Sequence, residues 1–246
     1  MSTVKLDFAK ESANRIKLLI KQNNSYVLFS GGRDSLVTMH LVNDVAKKMH
    51  KMISVVHVDT TVSTPGILEY VQKTCYQLGV ELIVVRPKID FFTLTRKWGF
   101  PTVTRRWCCY HLKIEPLKEL LLDCPDPKVV FDGIRREESP KRATYPISGI
   151  HKHFKCLCYH AIFEWTSEQV HSYIAEHGLK ENPLYAKGFH RAAECWCTSY
   201  KSVKQFLMLK QQFPELFQKF VDNEKCLKTG GSALFRNGKR IYLRDL

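Results

Sequence analysis

The chain has 246 residues, 44% of them hydrophobic, with 38 Lys and Arg against 24 Asp and Glu for a net charge of +14. That length allows a full buried core and suits one α/β domain with additions better than two independent domains. No apolar run approaches the length that spans a bilayer, and Met1-Ser2-Thr3-Val4-Lys5-Leu6-Asp7 lacks the basic-then-apolar order of a secretory signal, so the expectation is a soluble, cytoplasmic protein without membrane contact or disulfides.

Ala9, Ala13, Ile16, Leu19 and Ile20 recur at helical spacing over Phe8 to Gln22, and Asn23-Asn24 ends the pattern. Tyr26-Val27-Leu28-Phe29 predicts a strand, Ser30-Gly31-Gly32-Arg33-Asp34-Ser35 a loop, and Leu36 to Met49 a helix. Further strands are predicted at Ile53 to Val58, Leu82 to Val85 and Val129 to Phe131, with a helix from about Pro65 to Leu78. Strands alternating with helices imply an α/β fold, a mostly parallel twisted sheet with helices on both faces and ligands at the carboxyl ends of its strands. Ser167 to His177 reads as a helix, Lys201 to Val221 as one or two helices interrupted at Pro214, and Thr229 to Leu246 as a short basic tail. With no repeat, low-complexity stretch or Pro-rich linker, the expected organisation is a single domain over 1–246, its core at about 24–200 and a mainly helical extension with the tail at 201–246.

Two adjacent glycines after a strand let the backbone approach a ligand, and the following helix points its unpaired N–H groups at an anion. Ser30 and Ser35 offer hydroxyls to phosphate oxygens, while Arg33 either adds a charged fork or points to solvent. The loop lacks the Gly-Lys-Ser/Thr of a Walker motif, and a plain Gly-Gly turn before a helix is the bland alternative. His57-Val58-Asp59-Thr60 places a carboxylate and a hydroxyl at a strand end, which suits either nucleotide contact or turn chemistry. Arg135, Arg136 and Arg142 form a guanidinium cluster suited to phosphate or sulfate, or else a basic loop paired locally with Glu137 and Glu138.

Ser30 to Ser35 resembles the SGGxDS PP-loop of ATP pyrophosphatases at every fixed position. Arg105-Arg106-Trp107-Cys108-Cys109-Tyr110-His111-Leu112-Lys113-Ile114-Glu115-Pro116-Leu117 is similar to a segment of the iron-sulfur branch of the PAPS reductase family. Asp132 to Arg142 resembles that family's G-x-R-x-x-E-S-x-x-R loop, and Asn182 to Phe189 its NPLYxKG segment. These signatures, in family order over roughly 26–200, identify the chain as a member of the PAPS reductase family. The resemblance implies a nucleotide site made of Ser30, Gly31, Gly32, Arg33, Asp34 and Ser35 with Asp59, Thr60, Gly133, Arg135, Arg136 and Arg142, binding ATP with magnesium. Asp34 would hold the metal or orient the loop, and Arg33 and Lys113 join it in the implied catalytic set.

Nine cysteines in a reducing compartment include three close pairs, Cys108-Cys109, Cys156-Leu157-Cys158 and Cys195-Trp196-Cys197, a pattern of ligands rather than packing. Four thiolates suit zinc or an iron-sulfur cluster equally. The resemblance maps Cys108, Cys109, Cys195 and Cys197 onto the family's CC…CxxC layout and implies a [4Fe–4S] cluster. The second pair has one spacer residue instead of two, so Cys156 or Cys158 remains open as a replacement ligand. Cys75, Cys124 and Cys226 are isolated and read as buried small hydrophobes.

The family's reductases carry a C-terminal Glu-Cys-Gly-x-His tail whose thiolate attacks sulfur, whereas Phe235 to Leu246 contains no cysteine, and Glu224-Lys225-Cys226-Leu227 keeps only the acid. The expected function is therefore an ATP pyrophosphatase that adenylates an acceptor, after which sulfur bound at the cluster displaces AMP. The basic composition points to a nucleic-acid acceptor, tRNA or DNA, and a cysteine desulfurase is an expected sulfur donor. The alternatives are a PAPS or APS reductase using Cys226 with a thioredoxin-like donor, and a non-catalytic nucleotide-binding iron-sulfur subunit.

Overall fold

A computed structural model describes residues 7–191, 195–227, 234–236 and 239–246; Met1 to Leu6 and much of the expected basic tail lie outside the described residues. The strands are β1 (Asn24–Leu28), β2 (Ser54–Val58), β3 (Glu81–Val85), β4 (Lys128–Asp132), β5 (Ser148–Ile150), β6 (Leu157–His160), β7 (Leu234–Arg236) and β8 (Lys239–Ile241). The helices are α1 (Asp7–Gln22), α2 (Arg33–Lys48), α3 (Ile67–Leu78), α4 (Phe91–Trp98), α5 (Trp107–Cys109), α6 (Glu115–Asp123), α7 (Pro140–Ala143), α8 (Ser167–Glu176), α9 (Val203–Gln212) and α10 (Pro214–Lys225). The chain forms two compact units, one of Met1–Val58, Gly66–Val85 and Leu117–Ala193, the other of Asp59–Pro65, Arg86–Pro116 and Glu194–Leu246.

The first unit is built on a six-stranded sheet of order β3-β2-β1-β4-β6-β5, in which only β5 runs antiparallel, against β6. Its central strands read Ser25-Tyr26-Val27 and Val129-Val130-Phe131 because both faces of a parallel sheet are covered, and these residues are all buried. Helix α2 packs against both α1 and α8 and contacts β1 and β4. Strand order reverses between β1 and β4, so the crevice beyond their carboxyl ends is where an open α/β sheet receives a ligand. The sequence had placed all four long strands; it did not anticipate β5, β6 or α4.

The second unit has an aromatic core. Phe91 stacks on Trp107 at 5.7 Å between centroids, Phe206 meets Phe220 at 5.3 Å, and Trp196 meets Phe206 at 5.7 Å. Buried Glu224 ties the chain end to α10 by accepting from the Leu243 N–H at 2.8 Å and the Arg244 N–H at 3.1 Å.

Candidate functional site

The expected loop is half loop and half helix, since α2 begins at Arg33 rather than Leu36. Gly32 is its N-cap in extended conformation, while Gly31 has φ +88°, a region that favours glycine. A Cβ on Gly31 would lie 3.3 Å from a Val71 methyl. The Ser30 and Ser35 hydroxyls meet at 3.0 Å, and Ser35 donates to the Gly32 carbonyl at 3.0 Å. The loop is braced by a segment the sequence had flagged as a motif without giving it a role. Buried Asn182 donates to the Gly31 carbonyl at 3.3 Å, and the Tyr185 hydroxyl accepts from the Arg33 backbone N–H at 3.1 Å.

Arg33 takes neither of its expected orientations. Its guanidinium forms a two-pronged pair with Glu181, at 2.5 and 3.0 Å, and lies 3.7 Å from the centroid of the Tyr185 ring. Asp34 accepts from Arg135 Nε at 2.7 Å; burial pushes its carboxyl up from the usual range, against the pull of Arg135. Arg135 is nearly enclosed, also binding Glu137 at 2.8 Å and the Trp165 carbonyl at 3.3 Å. Gly133 lies so close to α2 that a Cβ there would stand 2.8 Å from the Asp34 backbone carbon and oxygen. Arg136 pairs with Glu164 at 2.8 Å and Arg142 with Glu138, so local pairing is what the guanidinium cluster displays. The sequence missed a dyad at the adjoining strand ends, where Asp132 of β4 and His160 of β6 hydrogen-bond at 2.7 Å.

In the second unit Asp59 and Thr60 carry out turn chemistry. Asp59 accepts from the Thr61 N–H at 3.0 Å and from Arg86 Nε at 2.8 Å, and the Thr60 hydroxyl meets that of Ser63 at 3.0 Å.

The four expected sulfur ligands all belong to this second unit. Cys108 and Cys109 sit in α5, which continues into a π-turn, Tyr110–Ile114, before α6. Cys195 bridges Ser63, and the Trp196 N–H donates to the Val62 carbonyl at 2.8 Å, so the trio runs antiparallel to a neighbouring segment. Residues i and i+2 of an extended chain share a side, which lets a one-residue spacer bring Cys195 and Cys197 together while Trp196 points away into the aromatic core. Trp107 enters the same core next to Cys108.

The thiols form a linked network. Hydrogen bonding to Cys109 and Cys197 raises Cys108, and hydrogen bonding to Cys197 raises Cys195. The same bonds lower Cys109 and Cys197, the direction that favours thiolate. Lys113, in the π-turn, has its ammonium raised chiefly by Cys195 and then by Cys109 and Cys197, which makes it the counter-charge of the set. The Ser199 backbone N–H also bonds the Cys197 sulfur. Among the described residues no group of three or more His, Cys, Asp or Glu is arranged to hold a metal ion. The donor chemistry nonetheless fits an iron-sulfur cluster, being soft and all-sulfur with the Lys113 ammonium beside it. Cys156 and Cys158 hydrogen-bond to each other in the first unit, where Cys158 is part of β6. Buried Cys75 fits its expected filler role, whereas Cys226 is exposed at the end of α10 and does not.

Residues 24–200 match the family of the phosphoadenosine phosphosulfate reductase domain. An uncharacterized protein of Methanocaldococcus jannaschii is 32% identical over 87% of this chain and 43% of its own length, so the chain spans less than half of that relative. The adenosine 5'-phosphosulfate reductase of Rhodococcus opacus is 30% identical over 72% of this chain and 69% of its own. The fold is shared with the U34-tRNA thiolase NcsA of Methanococcus maripaludis, solved with its [4Fe-4S] cluster, at a TM-score of 0.54 and 16% identity over 89% of this chain and 79% of that one. Among the described residues no helix is long and apolar enough to cross a membrane.

Proposed function

Because the chain belongs to the phosphoadenosine phosphosulfate reductase domain family, we propose that it is an ATP pyrophosphatase of that family, adenylating a nucleic-acid acceptor, tRNA or DNA, for sulfur transfer. The observation that carries this reading is the braced loop at the strand-order reversal. Gly31 opens the backbone, Ser30 and Ser35 converge, and the N-terminus of the 16-residue α2 faces the same place.

In this reading Ser30, Gly31, Gly32 and Ser35 bind the pyrophosphate portion of Mg-ATP. Asp34 and Arg135 act as positioning residues, fixing the first turn of α2 from beneath, and Arg33 with Glu181 and Tyr185 fixes it from the side. Arg136 and Arg142, the solvent-facing members of the guanidinium cluster, exchange a carboxylate for phosphate. Asp59 and Thr60 shape the turn that follows β2. An acceptor oxygen attacks the α-phosphorus and pyrophosphate leaves; hydrosulfide, released when a dithiol reduces the persulfide of a donor such as a cysteine desulfurase and is itself oxidised to a disulfide, then displaces AMP. One ATP therefore gives one AMP and one pyrophosphate per sulfur transferred. Cys108, Cys109, Cys195 and Cys197 would hold a [4Fe–4S] cluster, which when bound supplies an iron-sulfur centre able to bind sulfur. Lys113 balances the charge of those thiolates. The sulfur-transfer reading is supported by the fold shared with NcsA, a U34-tRNA thiolase solved with its [4Fe-4S] cluster.

The similarity to the Rhodococcus reductase favours a second reading, a PAPS or APS reductase in which exposed Cys226 supplies the attacking thiol and a thioredoxin-like donor the electrons. A third, a nucleotide-binding subunit without catalysis, shares every structural feature but turnover. Anaerobically purified protein incubated with ATP and with PAPS or APS plus a dithiol separates them. Pyrophosphate from ATP supports the first, sulfite without ATP cleavage installs the second, and binding with neither product leaves the third.

A further inference from the structure

The chain's positive charge is unevenly shared. The second unit, the smaller one, carries 17 Lys and Arg against 8 Asp and Glu, a net +9 out of +14. Adenine nucleotide is proposed for the first unit, so the larger excess stands where no nucleotide phosphate has been placed.

Within the second unit an open cavity of about 810 Å³ has walls that include Ser199, Tyr200, Lys204, Val103 and Leu207, and among the described residues no carboxylate lines it. Its size suits one nucleoside with its phosphate. Tyr200 is 56% exposed, and the Arg106 guanidinium lies 4.3 Å from its ring centroid, leaving a cationic aromatic platform in solvent. Val103, 61% exposed, adds an apolar wall to the cavity. Helix α9, ten residues long, begins at the cavity with no acidic residue in its first turn. Ser199, only 4% exposed, lines the cavity, with its hydroxyl turned to the Cys197 sulfur. Ser199 follows Cys197 by two residues and gives its backbone N–H to that sulfur, so one short segment carries both a cavity wall and a member of the cysteine set.

We propose that this cavity binds an unpaired nucleotide of a nucleic-acid strand, a proposal that rests on the nucleic-acid acceptor named above and gives it a place. The base stacks on Tyr200 beside Arg106, and the flanking phosphates meet Lys204 and the first N–H groups of α9. Stacking selects single strands because only an unpaired base offers its face, while the lysine and helix end read the backbone whatever the sequence.

The test is fluorescence anisotropy of the full chain with a labelled RNA stem-loop, the same stem closed as a duplex, and the DNA stem-loop of matching sequence, with polyglutamate as competitor. Wild type should prefer loop to duplex by about 10-fold, and Tyr200→Ala should weaken loop binding by about 10-fold without changing duplex binding. Tyr200→Phe, which keeps the ring, should bind as wild type. Lys204→Gln should weaken all strands and lower the salt slope by about one. The tighter of the RNA and DNA arms identifies the strand. Unchanged loop binding in Tyr200→Ala, or duplex or polyglutamate competing as well as the loop, would overturn the proposal and leave a general surface for polyanions or acidic proteins. Pyrophosphate release measured on the same samples keeps the two readings apart. ATP cleavage with a neutral Tyr200→Ala sinks only the cavity, and Tyr200-dependent loop binding without ATP cleavage supports the cavity while sinking the pyrophosphatase.

Discussion

Gly133 is the residue at which the loop after β4 crosses the first turn of α2, with room for hydrogen and no more. Gly133→Ala should force that turn outward and lower stability by about 1–3 kcal/mol, the usual range for an overpacked site. ATP binding should fall more than the melting temperature implies, because the displaced turn is the proposed phosphate cradle. Calorimetry alongside thermal unfolding checks this, and a variant with wild-type affinity would remove Gly133 from the site. The sequence showed Gly133 only as one letter of a motif, since a contact of 2.8 Å across about a hundred residues of chain leaves no local periodicity to read. Arg33 was ambiguous for the same reason: the sequence named a guanidinium, but Glu181 and Tyr185, which settle its orientation, lie some 150 positions away.

At the scale of elements, α2 is fastened to α8 by His40, whose Nδ1 lies 2.9 Å from the Tyr173 hydroxyl and whose ring is 4.9 Å from that of His177. Burial first, and then His177, pull His40 down to about 4, with Lys47 and Lys48 acting in the same direction and Asp44 opposing. An unfolded imidazole titrates near 6.5. Between those values the unfolded chain binds a proton that the folded one refuses, so stability is greatest above about pH 6.5 and is lost as pH falls toward 4. Denaturant unfolding at pH 7 and pH 4.5 should differ by on the order of 1–2 kcal/mol more in wild type than in His40→Gln, a figure discounted for partial exposure. An identical pH dependence in both proteins would exclude this role. Legibility at this scale followed chemistry. Buried Val-rich strands and an amphipathic α2 stood out, whereas α4 hid because Phe91-Phe92-Thr93-Leu94-Thr95 has the residue types of a strand and only the Asp90 cap marks a helix start. Strand β6 hid because Cys158, with Cys156 just before it, drew a ligand reading.

For the whole molecule, the sequence suggested a strongly basic chain and a set of paired cysteines, and the structure assigns both features chiefly to the second unit. What the sequence could not supply was the reason a one-residue spacer serves Cys195 and Cys197, because an extended segment bridged to Ser63 is a tertiary fact. Protein purified without oxygen should be brown, with iron and sulfide in about equal amounts, and Cys108→Ser or Cys197→Ser should bleach it while the far-ultraviolet spectrum of the sheet unit persists. Stoichiometric zinc without iron would contradict the cluster. The most direct test of the central claim is the yield of AMP and pyrophosphate from ATP labelled at the α-phosphate, with a nucleic-acid acceptor and a hydrosulfide source, for wild type, Asp34→Ala and Cys226→Ser. The account predicts AMP and pyrophosphate in equal amounts from wild type and Cys226→Ser, and a loss of at least about 100-fold in Asp34→Ala. Intact ATP in every acceptor mixture, together with sulfite from PAPS or APS that vanishes in Cys226→Ser, would contradict it.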